Sequence, residues 1–126
     1  MKNIYFMSID LGTSFIKAGI YDTEGQCLAA AQSSVPSDSS RPGVFVQNGE
    51  EILNNVLSCA RQATGIFGSE SSKIAAIGFT GQMAGFMGVD KDWNDITSWS
   101  CSLDTRYVPY AEKQMAELGD DFLEIS

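Results

Sequence analysis

Two apolar, β-prone runs open the chain, Asn3–Ile9 and Phe15–Tyr21, and the polar break Asp10–Ser14 divides them. Asp22-Thr23-Glu24-Gly25 is a turn signal, and Gln26–Ser33 after it predicts a third strand. Strands joined by tight turns make an antiparallel meander over 3–33. Ser33–Gly43, rich in serine and holding Pro36 and Pro42, reads as a surface loop, and Val44–Val46 as a strand fragment. Asn48, with Glu51 three residues on, has the form of a helix cap. Ile52, Leu53, Val56, Leu57, Ala60 and Ala63 follow at helical spacing and predict a helix over 49–64, with Gly65 and Gly68 as stop signals. After the polar link Ser69–Ser72, the continuous apolar run in 73–80 predicts a strand covered on both faces. Ala84–Val89 is apolar and glycine-interrupted, and Asp90–Asp95 is turn-rich. A last helix is predicted over 105–118, with a break near Pro109 and an end at Gly119. The order β-β-β-α-β-α predicts an α/β chain built on a mixed (α+β) sheet.

The chain has 126 residues, which suffices for one domain with a real core but is short for an enzyme that must enclose a nucleotide and a second substrate. Sixteen acids against eight bases give a net charge of −8, which argues against a nucleic-acid surface and against attraction to an anionic membrane. Cys27, Cys59 and Cys101 are far apart and form no C-x-x-C pair, so neither a disulfide framework nor a zinc site is expected, and the expected setting is reducing and cytoplasmic. Histidine is absent, which removes Ser-His-Asp, Cys-His and H-E-x-x-H chemistry. No apolar stretch reaches membrane-spanning length, and the N-terminus lacks the apolar core of a secretory signal.

The polar break carries the first candidate chemistry. Asp10-Leu11-Gly12-Thr13-Ser14-Phe15-Ile16-Lys17 gathers an acid, a glycine, two hydroxyls and a lysine around one tight turn. Phosphate binding with a divalent cation needs those types. Gly12 permits close backbone approach to an anion. Thr13, Ser14 and Lys17 can donate to phosphate oxygens. Asp10 can hold Mg²⁺, directly or through its waters. A plain hairpin would instead use Asp10 and Thr13 only to bond the turn backbone. Asp10–Lys17 between two strands resembles the first phosphate motif of the actin-like ATPase superfamily, and that resemblance implies an RNase H-like, actin/hexokinase-type ATPase fold.

A second stretch selects a branch. Ile74–Gly88 contains Gly81-Gln82-Met83-Ala84-Gly85, followed by the acidic turn at Asp90–Asp95, Trp99, and Asp104-Thr105-Arg106. Together with Pro42-Gly43-Val44-Phe45-Val46-Gln47 before a helix, this succession resembles the FGGY carbohydrate kinases, particularly the xylulokinase and gluconate-kinase-like members. The resemblance covers nearly the whole chain. It implies ATP and Mg²⁺ as cofactors, a sugar or polyol as substrate, and substrate contacts from Gln82, Met83, Ala84, Trp99, Asp104 and Arg106. Plainer roles stay open beside these: Gln82 satisfying backbone at a strand end, Met83 in the core, Asp104 capping the last helix, and Arg106 pairing with Glu112 or Asp104. Trp93 is expected to cover an edge. The chain departs from the family where Ala84 replaces a residue that is commonly polar, often His, and where the Trp-to-Asp spacing is lengthened.

The resemblance further implies that the 126 residues are the N-terminal part of the first kinase domain. The general-base Asp and the rest of the nucleotide site are expected downstream, and the chain alone is expected to be inactive. An uncovered sheet edge is expected to promote self-association. An actin- or chaperone-like ATPase and a non-catalytic binding module remain as the alternatives.

Overall fold

The computed structural model describes residues 4–119, so Asn3, the first residue assigned to the opening strand, lies outside the described residues. Strands β1 (Tyr5–Leu11), β2 (Phe15–Tyr21) and β3 (Cys27–Ser34) form the antiparallel meander. A two-residue strand β4 (Val46–Gln47) leads into helix α1 (Gly49–Phe67), a 3₁₀ turn (Gly68–Lys73) and strand β5 (Ile74–Gly81). Strand β6 (Trp99–Ser100) and helix α2 (Val108–Leu118) complete the described elements. The main sheet runs β3-β2-β1-β5, with β5 parallel to β1, which is the mixed order that the β-β-β-α-β pattern demands. A separate two-stranded ribbon pairs β4 with β6.

Alternation along the strands decides where the core lies. Tyr5, Met7 and Ile9 of β1 are buried, and the register Met7↔Ile20, Ile9↔Ala18 and Leu11↔Ile16 puts the buried residues of β2 on the same face. Ala29 and Ala31 of β3 continue that face. Helix α1 lies across β2 and β3. Its Ile52, Val56, Cys59, Ala60 and Ala63 meet the sheet, whereas Leu53 and Leu57 face outward. The small residues Ala18, Ala29, Cys59 and Ala63 let helix and sheet approach closely, and Phe67 closes the far end edge-on against Tyr5 at 4.8 Å between ring centroids.

Asn48 caps α1 as expected, its side-chain oxygen accepting from the Glu51 backbone N–H at 3.0 Å. The helix passes through Gly65 and stops three residues later at Gly68, whose φ of +80° with ψ of −144° is a backbone conformation that essentially only glycine adopts. The last helix starts at Val108 rather than 105, with Pro109 in its first turn, where a missing N–H costs nothing.

Strand β5 corrects one expectation. It is not covered on both faces: Ile77 and Phe79, which lie beside Met7 and Ile9 on the α1 side, are exposed, Phe79 by 67%. The helix sits over β2 and β3 and leaves β5 open. Trp93 corrects another, for it stands 83% exposed with φ +65° in the Asp90–Asn94 turn and covers no edge. Among the described residues no helix is long and apolar enough to cross a membrane.

Candidate functional site

The turn between β1 and β2 fixes the first group of side chains. Asp10 and Lys17 are direct cross-strand partners, so both point to the sheet face opposite α1, and the Lys17 Nζ lies 3.8 Å from the carboxylate. Both are partly exposed, so the pair is a weak one that an incoming cation or anion can part. They border a groove of about 530 Å³ with Ser8, Gly19 and Gln32. At Gly12 a Cβ would stand 2.7 Å from the Phe15 carbonyl oxygen, so the turn can close this tightly only on glycine. Ser14 is exposed at the tip. The donor set suits polyphosphate and the single carboxylate suits a hydrated Mg²⁺; among the described residues no three acids, cysteines or histidines come together as a closed metal cage.

Beyond the end of β5 the chain meets this turn from the other side. The Gln82 backbone N–H donates to the Leu11 carbonyl at 2.9 Å. Thr13 Oγ1 lies 3.2 Å from Gln82 Oε1, Gln82 Nε2 lies 3.0 Å from Gln47 Oε1, and Gln47 Nε2 donates to the Thr13 carbonyl at 2.7 Å. Gln47 is 2% exposed. Gln82 and Trp99 share a cavity of about 480 Å³ with Leu11, Gly12, Phe79 and Met87. The Trp99 indole N–H is buried and has no acceptor among the described residues, a donor that suits a bound hydroxyl. Met83 projects from the next turn, 84% exposed, and Ala84 holds a φ of +54° that an L-residue seldom adopts. Gly85 lets this turn lie on the ribbon, since a Cβ there would meet the Ser100 carbonyl oxygen and the Trp99 ring.

Residues 5–124 match the N-terminal domain of the FGGY family of carbohydrate kinases. The chain belongs to that family. It is 26% identical to the xylulose kinase of Bacillus subtilis (strain 168) over 122 residues, covering 97% of this chain and 24% of that protein. It is 35% identical to the glycerol kinase of Delftia acidovorans over 78 residues, 62% of this chain and 16% of that protein. Its fold overlays the crystal structure of a gluconate kinase from Lactobacillus acidophilus with a TM-score of 0.85 at 21% identity, covering 93% of this chain and 23% of that one. The chain thus spans about a quarter or less of the length of these relatives. The kinase family implies use of ATP.

Within this FGGY chain the expected substrate residues divide. Gln82 and Trp99 come together, but Asp104 and Arg106 line a different cavity of about 650 Å³, with Arg41, Phe86, Tyr107 and Tyr110. The β4–β6 ribbon separates the two, because its paired Gln47 and Trp99 lie on one face and its paired Val46 and Ser100 on the other. Asp104 is no helix cap, since α2 begins four residues later. It is 3% exposed and accepts from the Phe45 N–H at 3.1 Å, from the Arg106 N–H at 3.1 Å and from the Arg106 guanidinium at 2.6 Å. Thr105 N–H donates to the Gly43 carbonyl at 2.8 Å, so the pair clamps the 43–45 segment that leads into β4.

Hydrogen bonds from the Arg106 guanidinium, followed by those of the Phe45 and Arg106 backbone N–H groups, hold the Asp104 carboxyl well below the usual carboxylate range. A lowered folded-state value means that the stabilisation is fully present above the unfolded value near 4 and drains away as pH falls below it. An acid titration followed by near-ultraviolet circular dichroism is expected to report loosening around Trp99 below about pH 4, and Asp104→Asn is expected to remove that step.

Gln47 went unmarked as a single residue in the sequence, where it was one member of the Pro-Gly-aromatic segment. A glutamine in an apolar run directly before a helix cap was the available signal, because a polar group there is buried and needs partners.

Proposed function

We propose that the chain supplies part of the phosphate site and part of the sugar site of a kinase that transfers the γ-phosphoryl group of ATP to a hydroxyl of a sugar or polyol. The observation that carries this reading is the 3.2 Å contact of Thr13 with Gln82, which supports assigning the anion to the first turn and the acceptor to the cavity beside the second. Phosphoryl transfer needs that adjacency, since most of its catalysis is positioning and charge stabilisation. Backbone N–H groups at Gly12–Ser14, with Ser14 and Lys17, orient the phosphates. Asp10 would hold Mg²⁺, which when bound neutralises phosphate charge. The indole N–H of Trp99 and the side chain of Gln82 orient the acceptor, and Phe79 and Met87 present it an apolar surface. The group that takes the acceptor's proton is assigned outside these 126 residues, as is the remainder of the nucleotide pocket.

Xylulose, gluconate and glycerol, the acceptors named for the relatives, are the first compounds to try. The full-length gene product with MgATP is expected to release ADP in the presence of one of them or a related polyol, and mass spectrometry is expected to find the acceptor 80 Da heavier, the mass of one phosphoryl group. ADP release that no acceptor stimulates would favour a plain ATPase and end this reading.

A further inference from the structure

Thr13, Gln47 and Gln82 form a closed ring of three hydrogen bonds, and one group in it determines the direction of all three. The Thr13 main-chain carbonyl is an acceptor only, so Gln47 must turn its NH₂ toward it. That leaves Gln47 Oε1 facing Gln82, which must then offer its own NH₂. Gln82 Oε1 is left facing Thr13, and the hydroxyl proton of Thr13 is committed to it. The ring therefore runs from the backbone of the anion-binding turn, through a buried side chain on β4, to the acceptor-facing turn, and back.

We propose that Gln47 is a positioning residue that couples the phosphate turn to the Gly81–Gly85 turn, so that an anion at one sets the orientation of the other. This rests on reading Gly12–Ser14 as a phosphate site. Gln47 can act in this way because it is held rigidly. It is almost fully buried, it lies in the β4–β6 ribbon opposite Trp99, and it directly precedes the capped start of α1. An anion that draws in the Gly12–Ser14 backbone moves the Thr13 carbonyl, to which Gln47 is bonded. Gln47 shifts with it, and Gln82 must follow or lose its acceptor. The ring also assigns the hydroxyls. Thr13 has no proton left for a phosphate oxygen, so donation at the turn falls to Ser14, Lys17 and the backbone, and the free lone pairs of Thr13 suit a donor such as an acceptor hydroxyl or metal-bound water.

Titrating the ¹⁵N-labelled chain with magnesium pyrophosphate, followed by amide NMR, tests this. In the unaltered protein the signals of Gly12–Ser14 are expected to move, and those of Gly81–Gly85 and the Gln82 side-chain NH₂ with them. In Gln47→Leu, the first group is expected to move still and the second to lose its response. Gln82→Leu removes the last partner of the same route and is expected to silence the Gly81–Gly85 amides in the same way should Gln47→Leu fail to fold. Equal movement of Gly81–Gly85 with and without the ring would overturn the coupling and leave the phosphate reading standing. No movement at Gly12–Ser14 in the unaltered protein would overturn both.

Discussion

Asp10→Asn is expected to lower kcat of the full-length gene product about 100- to 1,000-fold while leaving its melting temperature nearly unchanged. The asparagine keeps the size of the side chain and loses the charge that would hold a magnesium ion, whose contribution to such a transition state is several kcal/mol, with each factor of ten worth about 1.4 kcal/mol. The fold has little stake in that charge. Asp10 is partly exposed and its partner Lys17 is a solvated 3.8 Å neighbour, an ion pair of the kind worth at most about 1 kcal/mol. Its backbone is held independently, by pairing with Lys17 of β2 on one side and Thr80 of β5 on the other. Activity and melting temperature are therefore expected to separate. A variant that turns over within a few-fold of the unaltered enzyme would show that the turn does not carry the metal.

Ile20→Ala is expected to do the reverse and damage the fold. Ile20 is completely buried near the end of β2, beside Met7 of β1 and Ala29 of β3 and within the core beneath α1. Many of the surrounding side chains are alanines or cysteine, which have no length with which to reach into a void, and the helix cannot sink further onto a sheet it already touches. Loss of the side chain should cost about 2–5 kcal/mol, near the upper part of that range if the cavity stays open. Small domains have roughly 5–15 kcal/mol in all, so a large share of the stability goes. Urea unfolding monitored by circular dichroism is expected to show a lower midpoint at an unchanged slope, whereas Leu53→Ala on the outer face of α1 is expected to shift the midpoint little. Equal effects at the two positions would mean that α1 does not pack on this face.

The meander and α1 were legible because both carry strong local signals. Polar breaks at Asp10–Ser14 and Asp22–Gly25 divide runs of β-prone residues, and Asn48 with Glu51 marks a helix start by a bond that forms within four residues. The helix end was misplaced because Gly65 and Gly68 look alike in sequence, and only the backbone conformation, with a positive φ at Gly68, distinguishes them. The β4–β6 ribbon was illegible for a different reason. Strands of two residues have no period, and they pair across 53 positions from Val46↔Ser100 to a partner that neither end announces. With the ribbon hidden, its two faces were hidden too. Asp104 and Arg106 could then be expected beside Gln82, although the ribbon places them on its far side. Strand β5 was read as covered because a continuous apolar run says that a surface wants covering, not what covers it or whether it lies within the same 126 residues.

Strand β1 is one of the two interior strands of the sheet, and Asp10 is its last residue but one. Most binding loops must be quietened when their ligand arrives, and that loss of freedom weakens association. Here the chain up to Leu11 is already immobilised by neighbours on both sides, so Asp10 arrives at any encounter with its backbone entropy lost at folding. What stays adjustable is the three-residue arc that follows, and because its glycine is required and Thr13 ties it to Gln47 and Gln82, its adjustments are small ones.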